Sequence, residues 1–188
     1  MKSDFLISNI PTGKLNAVIK PKWTEKDNVI RFSVTSDGTT GGEWITRLES
    51  KGFRIGSYAE SILHSKSFKL TSGITYEVAV LKGKYFSDSN RITKTIRKEA
   101  KNLKFSTPNT EVAPLIREKF SDKELKAMGL YWIVAMHEPI EDSDGDPLLL
   151  SADRFDDSSW LNANYDDPDN KWNRSDGFAF VVSQVSNP

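Results

Sequence analysis

Several residue types that carry common chemistry are absent or scarce in this sequence. It has no cysteine and only two histidines among 188 residues. The absence of cysteine excludes a disulfide scaffold, thiolate metal sites and a cysteine nucleophile. Two histidines are too few for a three-histidine zinc site. These absences remove several widespread classes of enzyme and metalloprotein from consideration.

Long apolar runs and an overall excess of charge are also missing. No run approaches the roughly 18 apolar residues of a membrane span, and the first residues lack the apolar core of a signal peptide. The chain holds 26 basic and 26 acidic residues. A chain of this length and ordinary composition is expected to fold as one domain, residues 1–188. We therefore predict a cytoplasmic protein with no membrane contact.

The zero net charge conceals an uneven distribution along the chain. Residues 1–110 hold 19 basic against 10 acidic residues, whereas residues 111–188 hold 7 against 16. A basic α/β part is thus followed by an acidic part of mainly β character. Such a split indicates either a charged partner or two parts that neutralise each other by packing together.

The hydrophobic pattern predicts an α+β fold. Ile30, Phe32 and Val34 alternate with polar residues, as in a half-buried strand, and residues 131–136 form an apolar run typical of a strand buried on both faces. The segments after Gly129 alternate with polar turns, which predicts a C-terminal β-meander. We expect a mixed or mostly antiparallel sheet of about five to seven strands, with three to five helices packed on one side.

Three capping boxes, each a Ser or Thr followed three residues later by Glu, predict helix starts. They begin at Thr40, Ser57 and Ser121. The first lies in the glycine-rich segment 38–42, a composition also found in phosphate-binding loops. Its glycine spacing matches no nucleotide motif, and Glu43 would repel an anion, so the segment is interpreted as a helix cap.

A helix predicted to start at Ser89 has one basic face. Ile96 and Ala100 recur at helical spacing on the opposite side. The basic face consists of Arg91, Lys94, Arg97, Lys98 and Lys101. This pattern is typical of nucleic-acid binding and equally of a solvated helix. No established nucleic-acid-binding signature accompanies it, so nucleic-acid contact is kept as an alternative only.

An acidic turn is the main metal candidate. Asp142, Asp144 and Asp146 present carboxylates at alternating positions, and Asp153 follows at the spacing of a closing ligand. Oxygen ligands of this kind suit Ca²⁺ or Mg²⁺, although the loop glycine is misplaced for a calcium-binding loop. We predict no obligatory cofactor, with Ca²⁺ or Mg²⁺ as the alternative.

His137 and Glu138 are the candidate acid–base residues. They are neighbours in a predicted strand, where successive side chains point to opposite faces, so they are not expected to share one site. No nucleophile elbow or ordered Ser-His-Asp set is present.

A second acidic cluster is interleaved with aromatic residues near the end of the chain. Its members are Asp156, Asp157, Trp160, Tyr165, Asp166, Asp167, Asp169 and Trp172. Aromatic anchors beside charged groups are typical of a protein-binding face. Rings next to carboxylates and amides also suit a sugar site, and the tryptophans alternatively belong to the core.

These patterns lead to one functional hypothesis and two alternatives. We predict a non-enzymatic cytosolic interaction or regulatory protein whose acidic, aromatic-containing C-terminal face binds a protein with a basic surface. A carbohydrate or Ca²⁺-dependent binding module is the first alternative. A small metal-dependent hydrolase that uses Glu138 or the aspartates is the second.

Overall fold

The computed structural model describes residues 21–155 and 158–186. Within these residues the strands are β1 (Thr24–Lys26), β2 (Val29–Asp37), β3 (Arg54–Ile55), β4 (Ser72–Lys82), β5 (Trp132–Ala135), β6 (Ile140–Glu141), β7 (Pro147–Arg154), β8 (Ser159–Tyr165) and β9 (Asp176–Ser186). The α-helices are α1 (Gly41–Ser50), α2 (Ser57–His64), α3 (Thr93–Asn102), α4 (Val112–Lys119) and α5 (Asp122–Ala127).

The strands form one mixed sheet. Their order is β1-β2-β4-β9-β5-β7-β8-β3, and β6 pairs with the start of β7. Strand β9 is antiparallel to β4 and parallel to β5. Among the described strands, the only other parallel pair joins β3 and β8. The last strand in the sequence therefore lies in the middle of the sheet, between strands of the basic part and strands of the acidic part.

Helices cover both faces of this sheet. Helices α1, α2, α4 and α5 pack on one face, which includes Val80 and Ile133. Helix α3 packs on the other face, where Ile96 lies in a second cluster with Val134 and Phe178. Ile133 and Val134 are both fully buried, as predicted for a strand with two covered faces. No helix in the described ranges has the length and apolarity to cross a membrane.

The α+β class and the mostly antiparallel sheet are confirmed, but three details differ from the prediction. The described residues form nine strands, not five to seven, because β1, β3 and β6 are two or three residues long and leave no periodic signal. The helices occupy both faces. Strands β5, β7 and β8 are antiparallel neighbours, but β9 departs from the meander and inserts between β4 and β5.

Two of the three predicted capping boxes form. The side chain of Thr40 accepts a hydrogen bond from the Glu43 N–H, and Glu43 Oε2 accepts one from the Thr40 N–H at 2.8 Å. Ser121 begins α5 with the same arrangement. The prediction for Ser57 is wrong, because it is the first helical residue of α2 and the N-cap is Gly56, which has no side chain to bond.

The glycine-rich segment before α1 serves helix packing. A Cβ atom at Gly41 would lie 1.8 Å from the Leu63 carbonyl oxygen in α2. Only glycine allows the two helices to approach this closely. The segment therefore caps α1 through Thr40 and allows close packing of α1 on α2 through Gly41.

Candidate functional site

The acidic turn between β6 and β7 is held together by its first aspartate. Asp142 Oδ1 accepts hydrogen bonds from the N–H groups of Asp144 and Asp146, both at 2.9 Å. Gly145 supplies a positive φ of 85°. The turn is therefore stabilised by its own side chain and backbone. Asp144 and Asp146 remain exposed.

The predicted metal set is not assembled. Asp153 lies near the far end of β7, roughly 23 Å along an extended strand from Asp146. In the described part of the chain, no group of three or more His, Asp or Glu side chains is arranged to hold a metal ion. Grouping Asp153 with Asp142, Asp144 and Asp146 was wrong, because β7 runs straight on where a metal loop would turn back.

Two exposed tyrosines stand beside the acidic turn. Tyr165 ends β8, and Tyr58 lies in the first turn of α2. Their ring centroids are 6.2 Å apart with an interplanar angle of 60°, and they are 46% and 45% exposed. A hydrogen bond with Tyr58 raises the pKa of Tyr165 to about 12, and the negative charges of Asp146 and Asp142 add to the increase. The tyrosine pair and the turn therefore share one electrostatic environment.

We call Tyr58, Asp142, Asp144, Asp146 and Tyr165 the tyrosine–aspartate surface. None of its three carboxylates takes part in a salt bridge within the described residues. This surface therefore combines aromatic side chains with negative charge that the fold does not neutralise.

Two aspartates of the predicted acidic face form salt bridges with cations of the same chain. Arg97 Nη2 lies 2.9 Å from Asp166 Oδ2, and Lys94 Nζ lies 2.5 Å from Asp169 Oδ1. Both cations come from α3, which crosses the face of the sheet next to this loop. The acidic loop and the basic helix thus pair with each other.

Asp167 remains exposed close to the tyrosine–aspartate surface. Its Oδ1 atom accepts a hydrogen bond from the Asp169 N–H at 2.8 Å, and it forms no salt bridge among the residues described. The predicted Asp156 and Asp157 lie outside the described residues.

The basic helix face predicted as a nucleic-acid contact is disrupted at its start. Helix α3 begins at Thr93 and not at Ser89, so Arg91 precedes it. Arg91 is 5% exposed and donates hydrogen bonds to the carbonyl oxygens of Gly83 and Phe86 at 2.8 and 3.1 Å. Its guanidinium therefore holds a turn and is not available to a phosphate.

The rest of that basic face is small. Lys94 and Arg97 are paired with aspartates, and Arg97 also donates to the Met136 carbonyl oxygen at 3.1 Å. Lys98 and Lys101 are exposed and take part in no salt bridge within the described ranges. Two lysines beside acidic residues are a weak basis for nucleic-acid binding.

The two tryptophans predicted as anchors differ in burial. Trp172 is 6% exposed, donates from Nε1 to Thr93 Oγ1 at 3.0 Å and packs with its ring 5.4 Å from that of Phe178. Trp172 is therefore part of the core. Trp160 is half-buried, and the Arg54 guanidinium carbon lies 5.4 Å from its ring centre.

His137 has a structural role. It is 1% exposed, its Nε2 atom accepts a hydrogen bond from the Leu150 N–H at 2.9 Å, and its Nδ1 atom lies 2.6 Å from the Glu138 carbonyl oxygen. Burial lowers the pKa of His137 to about 4. Both ring nitrogens are engaged by the backbone, so the ring is not placed for acid–base catalysis with Glu138.

A group that sequence reasoning missed crosses the α3 side of the sheet. The strand registers place Asp176, Trp132, Asp153 and Trp160 side by side on β9, β5, β7 and β8. We call these four residues the tryptophan–aspartate row. Alternation in β7 was the available signal, because Ser151 and Asp153 share one face while Ala152, the residue between them, points to the other.

Both carboxyl groups of the row are almost fully buried, at 1% exposure each. Burial raises the pKa of Asp153 to about 6, and the negative charge of Asp176 adds to the increase. Hydrogen bonds from Ser151 and Asn162 and the positive charge of Arg117 lower this pKa and so partly oppose the increase. Burial also raises the pKa of Asp176 to about 6. Asp153 Oδ1 has no hydrogen-bond partner among the described residues.

The chain was compared with protein-family models, with curated proteins and with solved structures. None of these comparisons found a significant match.

Proposed function

We propose that this chain is a non-enzymatic cytoplasmic interaction or regulatory protein whose tyrosine–aspartate surface binds a cationic segment of a protein partner. The observation that carries the proposal is the placement of two exposed, mutually packed tyrosines beside a turn whose carboxylates form no salt bridge within the described residues. The acidic, aromatic character predicted for the C-terminal face is kept in this proposal, and so is Tyr165, while Tyr58 takes the place of the two tryptophans as an anchor.

The tyrosine pair is suited to provide binding energy. Tyrosine presents a large apolar ring and a hydroxyl at little cost in side-chain entropy, and it is enriched among the residues that dominate interface energetics. Contact between Tyr58 and Tyr165 holds each ring in place before a partner arrives. Less ordering is then needed on binding.

The charge of the surface favours a cationic partner. Asp142, Asp144 and Asp146 are negative and close together, and the exposed Asp167 follows Tyr165 by two residues. Such a field accelerates encounter with a basic surface and repels nucleic-acid phosphates. Lysine and arginine side chains also interact favourably with tyrosine faces.

Peptide binding tests the proposal. A library of lysine- and arginine-rich peptides is screened against the full chain, and association rates of the best binder are measured at several salt concentrations. The double variant Asp144→Asn/Asp146→Asn is expected to slow association several-fold and to flatten its salt dependence. It leaves Asp142, which holds the turn, unchanged.

The control carries the same charge change elsewhere. Glu49→Gln/Glu77→Gln removes two exposed carboxylates that form no salt bridge within the described ranges. We expect it to leave the association rate unchanged, while Tyr165→Ala accelerates dissociation. Equal effects of the two double variants, or binding that survives Tyr165→Ala unaltered, would show that this surface is not the binding site.

A further inference from the structure

Polar and aromatic side chains replace apolar ones on part of the α3-side face of the sheet. Helix α3 and Trp172 cover the apolar part formed by β4, β9 and β5. On β7 and β8 the same face carries Ser151, Asp153, Trp160, Asn162 and Asn164. Of these, Trp160, Asn162 and Asn164 are half-buried, as is the neighbouring Trp132. This part of the face therefore reaches the molecular surface.

In the described part of the chain, one oxygen of the buried Asp153 carboxyl group lacks a hydrogen-bond partner, as does one oxygen each of Asp122 and Asp166. Glu111, which is 2% exposed, accepts hydrogen bonds from Thr71 and from the Tyr76 hydroxyl. Asp176 accepts one from the Asn173 N–H at 2.7 Å. Ser151 and Asn162 hydrogen-bond the Asp153 carboxyl group, but no donor reaches its Oδ1 atom among the residues described. A buried carboxyl oxygen without a donor destabilises the fold, and such groups are concentrated at functional sites.

We propose that this face of the sheet, centred on the tryptophan–aspartate row, is a binding site for a neutral oligosaccharide. The indole rings of Trp132 and Trp160 would pack on the C–H faces of sugar rings. Asn164 Nδ2 donates to Ser151 Oγ at 2.8 Å, and Asn162 Oδ1 accepts from the Ala163 N–H at 3.0 Å. The remaining hydrogen-bonding positions of these two half-buried amides would bond the sugar hydroxyls, and the unpartnered Oδ1 of the buried Asp153 would accept from a hydroxyl that reaches between them. The two tryptophans are two strand spacings apart, roughly 10 Å, so the row has room for more than one sugar ring.

The neighbouring groups favour hydroxyl ligands over ions. An asparagine amide both donates and accepts hydrogen bonds, as a sugar hydroxyl does. An anionic ligand would be repelled by Asp153 and Asp176. A cationic ligand would meet Arg54, which already lies over the Trp160 ring. The site is separate from the tyrosine–aspartate surface, so each proposal stands or fails independently.

Indole resonances in NMR spectra test the site on the unmodified protein. Cellohexaose, chitohexaose, maltohexaose, xylohexaose and mannohexaose are titrated separately into the ¹⁵N-labelled full chain. The five tryptophans each give one indole N–H signal. We expect at least one sugar to shift the signals of Trp132 and Trp160 while those of Trp23 and Trp44 stay in place. If no sugar at millimolar concentration shifts these two signals, or if all five signals move alike, the proposal is overturned.

Variants then assign the affinity to named side chains. Trp160→Ala and Asp153→Asn are each expected to weaken binding of the responding sugar by roughly tenfold or more. Trp160→Phe keeps an aromatic ring, so it should weaken sugar binding less than Trp160→Ala does. The control is Trp23→Ala, since Trp23 is also half-buried but packs on the four-helix side. Unchanged affinity in both Trp160→Ala and Asp153→Asn contradicts the assignment.

Discussion

His137 and Asp153 are buried residues whose pKa values are shifted in opposite directions. Burial lowers the pKa of His137 to about 4 and raises that of Asp153 to about 6. Each shift disfavours the charged form, as expected when a titratable group is removed from water. The two residues therefore contribute to the pH dependence of stability with opposite signs.

The contribution of His137 to stability is predicted to decrease as the pH falls. Between the unfolded pKa of about 6.5 and the folded value of about 4, the unfolded chain binds a proton that the folded protein does not. Stability relative to a His137→Gln variant should therefore decrease by roughly 2–3 kcal/mol as the pH falls through this window. Urea unfolding of both proteins at pH 7 and pH 4.5 measures the difference. A difference that does not change with pH would show that the folded protein also protonates His137.

The variant Asp153→Asn is predicted to stabilise the protein at neutral pH. The folded pKa of about 6 lies above the unfolded value of 3.8, so at pH 7 the folded state carries a charge whose burial is unfavourable. Removing the charge should raise the free energy of unfolding by about 1–3 kcal/mol at pH 7. The gain should shrink as the pH falls from 6 towards 4, where the folded carboxyl is protonated. Urea unfolding across this range decides the point, and a loss of stability at pH 7 would contradict it.

At the residue scale, the sequence indicates what a side chain is able to do but not which neighbours it meets. Trp160 and Trp172 have similar sequence surroundings, yet the first is half-buried and the second is core. The sequence pattern placed Arg91 on a basic helix face, but in the structure its side chain donates hydrogen bonds to carbonyl groups of the preceding turn. Asp153 was read with the nearest aspartates in sequence, although its partners lie on adjacent strands.

At the scale of elements, helix starts are set by bonds within four residues and are correspondingly predictable. Thr40→Ala should lower the free energy of unfolding by about 1 kcal/mol, because it removes the acceptor for the Glu43 N–H. Ser57→Ala, in a segment with the same sequence pattern, should change it by less than about 0.5 kcal/mol, because no side-chain cap forms there. Parallel urea titrations of the two variants make the comparison. Equal losses would mean that Ser57 does cap α2.

A buried arginine adds polar contacts to the apolar packing that attaches α4 to the sheet. Arg117 is fully buried and donates to the carbonyl oxygens of Asp153, at 2.8 Å, and of Phe120. Its guanidinium also lies 3.0 Å from Asp122. It thus joins α4, β7 and the start of α5 at one point.

Arg117→Lys is predicted to lower the free energy of unfolding by about 3 kcal/mol. Lysine keeps the charge but lacks the planar fork that bonds two carbonyl groups at once. The matched control Arg31→Lys, at an exposed position, should change stability by less than about 0.5 kcal/mol. Thermal and urea unfolding measure both. Similar small effects for the two variants would argue against the role assigned to Arg117.

The type of an element was easier to predict than its position. The alternation in β2 and the apolar run in β5 are properties of each segment itself, so these two strands were predicted correctly. The apolar stripe of α3, with Ile96 and Ala100, showed that the helix packs but not on which face of the sheet. That choice depends on Phe178 and Val134, which are remote in sequence.

At the scale of the whole molecule, the charge split is partly an internal property. Of the ten salt bridges in the described ranges, five join the basic part to the acidic part. They are Lys22–Glu124, Arg47–Glu118, Lys51–Glu118, Lys94–Asp169 and Arg97–Asp166. Mutual neutralisation therefore accounts for part of the pattern, and the tyrosine–aspartate surface is negative charge that remains.

Removing β9 is predicted to prevent folding. A chain that ends at Ser175 lacks the strand between β4 and β5, so the sheet separates into a three-stranded piece and a remainder. Neither part would retain a covered core. We expect no cooperative unfolding transition by circular dichroism, and partial recovery when a synthetic peptide of residues 176–188 is added. A truncated chain that unfolds cooperatively without the peptide would contradict the role of β9.

The central position of the last strand also has a consequence for biosynthesis. Before β9 has been synthesised, the nascent chain has helices and two partial sheets but no strand to join them. The strand edges of β4 and β5 therefore stay open until β9 inserts between them. Such exposed edges invite aggregation or chaperone binding. We therefore expect the newly made chain to be most dependent on chaperones in the interval before β9 inserts.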